Sequence, residues 1–409
     1  MSGYKKKIKV FLLMLFSVYA FSSSALSQEQ SFISLKLVTD DDLVVGARQT
    51  GQYFPLLEGK RIAVVANQTS LIGEVHLVDS LLNAGMSVSK VFCPEHGFRG
   101  NAEAGQKIRN GKDPATGLAV ISLYGRNYKP TRRDLRRIDL VLFDLQDVGA
   151  RFYTYISTMS YVMEACAEQG IPMIILDRPN PNGFFVDGPI LSEPYESFVG
   201  LHPVPIVHGM SIGEYALMVN GEGWLSQSIR CDIKVIKVKN YDHNMIYQLP
   251  VKPSPNLPNW QSIYLYPSLA LFEGTIISEG RGTDKPFQIF GHPDFRTGSY
   301  TFTPKSLPGA EYPKYRDQRC HGLNIRNHAM NFKENPRLLN LNWLIEMAKY
   351  FSYREDFFNN YFNYLAGNTS LKDQIKLGMS EEDIRKSWEN GLEKFKKIRK
   401  LYLLYADFQ

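Results

Sequence analysis

The chain predicts an α/β protein, a doubly wound parallel sheet with a second, smaller α/β domain. Short β-branched apolar runs alternate with stretches of helical spacing over the first half, the pattern of βαβ units. Polar residues cluster just after those runs, at the carboxyl ends of the strands, where open parallel sheets bind their ligands. The length of 409 residues is long for one domain and suits two.

Taken in order, residues 28–45 read as a polar linker and 61–67 as the first strand, ending in turn chemistry at Asn67-Gln68. Residues 76–85 place Leu77, Leu81 and Leu82 at helical spacing and stop at Gly85, a common C-cap. Residues 88–93 form a second strand that closes in Pro94-Glu95-His96-Gly97, and 119–124 a third. The fourth, 140–145, is unbroken and apolar, as a parallel strand buried on both faces should be. A helix over 155–169, ended by Gly170, leads to a fifth strand at 172–176. Residues 204–207 read as a sixth, followed by a helix from Ser211.

Beyond Cys231 the texture changes. Residues 232–238 alternate like a half-exposed strand, and Pro250, Pro253, Pro255 and Pro258 break regular structure. The expected division is 43–235 for the first domain and 236–409 for the second. The chain closes in an amphipathic helix. Ser380 caps it, Glu381, Glu382 and Asp383 occupy its first turn, and Ile384, Trp388, Leu392, Phe395, Ile398 and Tyr402 form its apolar stripe. Its basic end, 394–400, reads as a solvated face.

Composition narrows the function classes. Lys5, Lys6, Lys7 and Lys9 precede an apolar run and a small-residue stretch ending at Ser27, the form of a secretory signal peptide over residues 1–27. The run is too short to span a bilayer, so no stable membrane span remains after cleavage. Removing this segment takes the formal charge from +6 to +2, which withdraws electrostatic support for nucleic-acid binding. A secreted, periplasmic protein is expected. Cys93, Cys166, Cys231 and Cys320 lie far apart without a C-x-x-C, which excludes a zinc ribbon and a disulfide-dense mini-fold. The first strand is not followed by G-x-G-x-x-G, no P-loop occurs, and there is neither H-E-x-x-H nor a histidine cluster. No nucleotide or metal cofactor is expected; a carboxylate-only metal site at Asp144 and Asp147 is the alternative.

Glu95 sits directly after a strand, in a loop fixed by Pro94 and Gly97. That position suits a general acid raised in pKa by partial burial. Asp144 and Asp147 are candidates for a second carboxylate, or for capping the next helix and holding Arg151. Glu279-Gly280-Arg281-Gly282-Thr283-Asp284 is a glycine-flanked charged loop that brings a guanidinium near an anion, or makes a local salt bridge. Gly209-Met210-Ser211-Ile212-Gly213 fits a nucleophile elbow, with Asp284 and His292 following in order. The same Ser211 with Glu214 is also a capping box, which explains it without catalysis. Asp177-Arg178 reads as an internal ion pair, and Tyr264, Tyr266 and Phe272 as core.

In sequence order, Val65-Ala66-Asn67-Gln68-Thr69, Pro94-Glu95-His96-Gly97-Phe98-Arg99-Gly100 and Asp144-Leu145-Gln146-Asp147-Val148-Gly149-Ala150-Arg151-Phe152-Tyr153 stand out. Asp177-Arg178-Pro179-Asn180-Pro181-Asn182-Gly183, Pro253-Ser254-Pro255-Asn256-Leu257-Pro258 and Glu273-Gly274-Thr275 follow. Together they resemble the exo-β-N-acetylmuramidase family of the NamZ type over residues 43–409. The one departure is Thr69-Ser70, where many members have a glycine. The resemblance implies a Rossmann-like N-terminal domain, a smaller C-terminal domain and a site in the cleft between them. It also implies release of non-reducing terminal N-acetylmuramic acid from peptidoglycan fragments, a step of cell-wall recycling, with Glu95 as the catalytic residue. Such hydrolysis needs a second carboxyl group or an assisting acetamide. The candidates are Asp144, Asp147, Glu279 and the 2-acetamido group of the substrate. The lactyl carboxylate of muramic acid calls for an arginine, Arg281 or Arg151. Asn67, Gln68, His96, Asn182 and His208 are candidates to bond sugar hydroxyls or the acetamide, and Tyr153 and Asp284 complete the expected binding set. A serine esterase or deacetylase using Ser211, and a non-catalytic binder of cell-wall sugars, are the rival readings.

Overall fold

The apolar runs of the first half become one sheet. The computed structural model describes residues 35–99, 110–330 and 339–408, which belong to one compact unit. The expected leader, 1–27, lies outside the described residues. Strands β1 (Ile62–Ala66), β2 (Val88–Cys93), β3 (Gly111–Lys112), β4 (Ala119–Ser122), β5 (Leu140–Asp144), β6 (Met173–Leu176) and β7 (Ile233–Ile236) lie in the order β7-β6-β5-β1-β2-β4-β3. All neighbours are parallel except β3, which runs antiparallel to β4. Every residue of β1 and β5 is buried, which is why these strands read as continuous aliphatic runs.

The sheet is wound on both faces. Ile62, Val64 and Ala66 pack in one core with α1 (Thr50–Leu57) and α2 (Leu77–Asn83). Ala63 and Val65 point the other way, into a core with α3 (Tyr155–Gln169) and α4 (Ile212–Gly221). That alternation is the strand's period of two made visible. Helix α3 ends where expected, at Gly170 with φ of 63°. The chain winds outward from β1 to β2 and β4, then crosses back to β5, β6 and β7. The crevice therefore opens at the carboxyl ends of β5, β1 and β2.

One element differs from expectation. Residues 204–207 are no strand of the sheet. Pro203 and Pro205 remove amide donors there, and the carbonyls of Val204 and Ile206 accept instead from Leu191 and Arg151. Residues 232–238 hold, as expected, a half-exposed strand, β7, which pairs parallel with β6 at the sheet edge; residue 235, the expected end of the first domain, lies within it. The second half carries a smaller antiparallel sheet of β8 (Ile289–His292), β9 (Tyr300–Phe302) and β10 (Cys320–Asn324) in the order β8-β10-β9. The second half also contains α5 (Trp260–Leu269), α6 (Asn342–Tyr350), α7 (Phe362–Ala366), α8 (Ser370–Lys376) and α9 (Glu381–Lys400). Ser380 caps α9 as its sequence requires, accepting from Asp383 N at 3.2 Å. The basic end of α9 is not wholly solvated. Arg399 is buried and donates to the Gly209 carbonyl at 2.7 Å while pairing with Asp407 at 2.8 Å. Among the described residues, no helix is long and apolar enough to cross a membrane.

Candidate active site

The end of β2 turns sharply. Gly97 N donates to the Pro94 carbonyl at 3.1 Å, and His96 and Gly97 take φ of 71° and 79°. A histidine in the left-handed region is strained, and such strain gathers at functional sites. Beside it, Glu95 enters a hollow of about 410 Å³, open solvent included. The sheet side contributes Glu95, His96 and residues 152–155, and the second half contributes Ser254, Asn256, Leu257, Tyr266, Arg281 and Phe287.

The carboxylate is held. Thr154 Oγ1 donates to Glu95 Oε2 at 3.1 Å. Tyr124, Tyr155, Tyr266 and Tyr361 all have phenol pKa values pushed up, chiefly by burial and in part by the charge of Glu95; Tyr124 also hydrogen-bonds it. These phenols therefore stay protonated beside the acid. Tyr155 is itself positioned by Asn67, whose Nδ2 donates to its hydroxyl at 2.8 Å.

The opposite wall is built by the glycine-flanked loop. Gly280 and Gly282 both have positive φ, and a Cβ at Gly282 would lie 2.5 Å from the Lys305 carbonyl. The turn presents Arg281 against the Phe287 ring, 5.1 Å from its centroid. The guanidinium pairs with Glu273 at 2.9 Å and Glu279 at 3.4 Å, and Lys314 reaches Glu279 at 3.3 Å. Burial raises the pKa of Glu273, Arg281 counters it, and Glu279 adds to the rise.

The structure brings Glu95, His96, Tyr153 and Arg281 to one hollow and sends the other expected residues elsewhere. Asp144 is fully buried and gripped by Arg178, at 2.6 Å to Nε and 2.9 Å to Nη2. It is not a second catalytic acid, and this same pairing closes it to a metal. Asp177 does not pair with Arg178 as expected; it accepts from Ser211 Oγ and Gly213 N. Asp147 is buried, accepts from Gly149 N at 2.7 Å and faces His208 Nε2 at 3.6 Å. His208 has no exposed surface, so both shape the loop rather than meet a sugar. Arg151 is completely buried and donates to the carbonyls of Pro189, Val204 and Leu365 at 2.9, 2.9 and 2.8 Å. Desolvation lowers its pKa to about 9. It is a clamp between the halves and cannot grip a lactyl carboxylate.

Asn182 is also buried and donates to the carbonyls of Val148 and Ile263 at 2.8 and 3.0 Å. Asn67 holds Tyr155 and its own turn. Gln68 lies outside this hollow, donating to the carbonyls of Lys252 and Pro253, each at 3.1 Å. Glu279 stands behind Arg281, and Asp284 is exposed and paired with Lys285 at 2.9 Å. Ser211 is the capping residue. Its hydroxyl accepts from Glu214 N at 3.2 Å and donates to Asp177 at 2.7 Å, and it is fully buried. His292 accepts from Asp294 N, far from it in role. No nucleophile elbow exists here, and the esterase reading falls. Among the described residues, no three His, Cys, Asp or Glu side chains gather as a metal would need.

Sequence reasoning missed Thr154, Tyr124, Glu273 and Asn256, and it assigned Tyr266 to the core. Thr154 directly follows the Asp144–Tyr153 motif, and Tyr124 lies two residues past the end of β4, so position could have found both. For Glu273 and Tyr266 only the approach of the second half decides.

The family model for the exo-β-N-acetylmuramidase NamZ N-terminal domain matches residues 62–261, and that for the C-terminal domain matches 264–405. The chain belongs to the exo-β-N-acetylmuramidase NamZ family. The peptidoglycan β-N-acetylmuramidase NamZ of Bacillus subtilis is 39% identical, over 98% of this chain and all of that one. Two solved structures of DUF1343-family proteins from Bacteroides fragilis are similar throughout. One is 46% identical with a TM-score of 0.82, the other 28% identical with 0.78, and each covers 89% of this chain and 99% of its own.

Proposed function

We propose that this glycosidase releases non-reducing terminal N-acetylmuramic acid from peptidoglycan fragments, with Glu95 as the general acid. The observation that carries the reading is a single carboxylate among the residues lining the hollow, held by Thr154 at the end of a parallel strand. The activity named for the Bacillus subtilis relative supports the substrate class. Glu95 gives its proton to the leaving oxygen. With Asp144, Asp147 and Glu279 engaged elsewhere, the second role goes to the substrate's own acetamide. Its oxygen attacks C1 as the glycosidic bond breaks, and water then opens the resulting ring while Glu95 takes a proton back. Arg281 is the one Lys or Arg in that lining. The lactyl carboxylate joins its charge cluster, which Lys314 helps to neutralise.

The test is Glu95→Gln on a chromogenic N-acetylmuramide. Wild-type turnover by that variant sinks the reading and favours a sugar binder. Replacing the acetamide hydrogens of the substrate by fluorine should lower turnover with each fluorine. A flat series would remove the acetamide from the mechanism. Residues 1–27 are the basis for placing the enzyme in the periplasm, and mature protein beginning at Gln28 in that fraction is the expected result.

A further inference from the structure

The connection from β4 to β5 carries a charge imbalance that the proposed activity does not use. Residues 126–139 hold six basic side chains and two acids. Thr131 to Arg136 close one turn of helical hydrogen bonds. The Thr131 carbonyl accepts from Asp134 N at 2.9 Å and Leu135 N at 3.1 Å, and the Arg133 carbonyl accepts from Arg136 N at 3.3 Å. Leu135 and Ile138 are buried in the core, which leaves Arg132, Arg133, Arg136 and Arg137 exposed on the outside. Arg132 and Arg136 stand four apart and Arg133 and Arg136 three apart, the spacings at which like charges repel.

The nearby acids do not relieve them. Asp134 turns its carboxyl back on Thr131, accepting from its N at 2.9 Å and its Oγ1 at 2.6 Å. Asp139 is taken by Arg61, whose Nε donates at 2.8 Å. Glu164 and Glu168 of α3 both pair with Lys129, at 2.5 and 2.6 Å. None of the four guanidinium groups has an ion-pair partner among the described residues. Lys90 adds to the field, since its Nζ donates to the Asp134 carbonyl at 2.6 Å.

We propose that this arginine face docks the enzyme on a polyanion of closely spaced carboxylates, the acidic peptide-bearing glycan of the cell wall. The inference rests on the glycosidase reading above. A guanidinium fork grips a carboxylate through two parallel hydrogen bonds, and a row of carboxylates removes the repulsion that the free protein carries. Two observations select the wall over a membrane. Across 131–137 the exposed side chains are Thr131 and the four arginines, so no apolar group is offered to a lipid interface, as a membrane-lying helix would offer. The face is also continuous with the site. Tyr124 hydrogen-bonds Glu95, and Tyr128 meets Tyr124 edge-on at 6.0 Å and stacks on Phe198 at 4.1 Å, with Lys129 next in the chain. A polymer held on this face keeps its chain ends near the hollow without entering it.

The experiment is co-sedimentation with purified, insoluble peptidoglycan, read as the fraction of protein in the pellet, with turnover of a chromogenic N-acetylmuramide measured on the same preparations. Wild type should pellet at about 50 mM salt and be released at about 300 mM. The combined variant Arg132→Gln, Arg133→Gln, Arg136→Gln and Arg137→Gln should bind at least fivefold more weakly while cleaving the chromogenic substrate at the wild-type rate. Peptidoglycan whose carboxyls have been converted to amides should hold wild type equally weakly, and this arm decides the matter should the variant fold poorly. Equal pelleting of variant and wild type, undiminished binding to the amidated polymer, or tighter binding to phosphatidylglycerol vesicles than to peptidoglycan each overturns the proposal. Wild type that pellets with the wall but leaves the muramide intact overturns the parent reading alone, which separates the two failures.

Discussion

Strands β2 and β5 flank β1 on either side, both run parallel to it, and both lead into carboxylates at the same edge of the sheet. Glu95, past β2, reaches an open hollow; Asp144, ending β5, is sealed against Arg178. A buried strand that ends in an acid needs a partner for its charge. At β5 that partner is another strand end of the same protein, whereas at β2 the carboxyl is held, among the described residues, by neutral donors, Thr154 and Tyr124, beside an open hollow. The contrast teaches that placement at a carboxyl edge marks where a site can be, whereas the contents of the next loop decide whether the protein fills it.

The sharpest way to break the contrast is to neutralise both acids. Glu95→Gln should lower turnover by about 100-fold or more while the folding midpoint holds. Asp144→Asn leaves the buried Arg178 unpaired and should cost about 3–5 kcal/mol of stability, with activity per folded molecule retained. An inactive but fully stable Asp144→Asn protein would invert the comparison.

A third acid extends it. Asp177 accepts from Ser211 Oγ, Gly213 N and Tyr405 OH, yet burial outweighs these bonds and raises its pKa to about 6. Its unfolded carboxyl ionises near the ordinary value of 3.8. The fold therefore holds this proton more tightly. The contribution to stability is complete below about pH 4 and is lost as pH climbs through about 6, roughly 3 kcal/mol in all. Denaturant midpoints of wild type against Asp177→Asn across that range should show the slope in wild type and its absence in the variant.

Smaller effects sharpen the picture at the site itself. Thr154→Val removes the donor to Glu95 Oε2 and should lower kcat about tenfold with KM within about twofold, as expected for a group that orients the acid. Equal changes in both constants would make Thr154 a substrate contact. Ser211→Ala should cost about 1–2 kcal/mol through the lost cap and the lost bond to Asp177, and leave turnover intact. Loss of all activity would revive the serine reading.

Much of this was legible before any coordinates. The strand runs at 62–66 and 140–144 carry their own burial in their composition, because a parallel strand covered on both faces reads as a near-continuous apolar run. Ser211 and Ser380 announced their helices, because a cap satisfies amide donors within three residues of itself. Glu95 stood out because proline and glycine bracket it. Local patterns of that kind need only neighbours in the chain.

What sequence could not settle was every choice between a protein partner and a ligand. Arg151 and Arg281 look alike in their motifs, yet one is drawn inside by the carbonyls of Pro189, Val204 and Leu365, and the other stays at a wall beside Glu273. Asn67 and Asn182 went to backbone and tyrosine, while Thr154 and Tyr124 came to the acid. Many of these partners lie far along the chain: Tyr155 is 88 residues from Asn67, Leu365 is 214 from Arg151 and Thr154 is 59 from Glu95. Whether a polar side chain is satisfied internally is decided by which distant carbonyl, carboxylate or phenol arrives within about 3 Å, and only the packed tertiary structure brings those groups together.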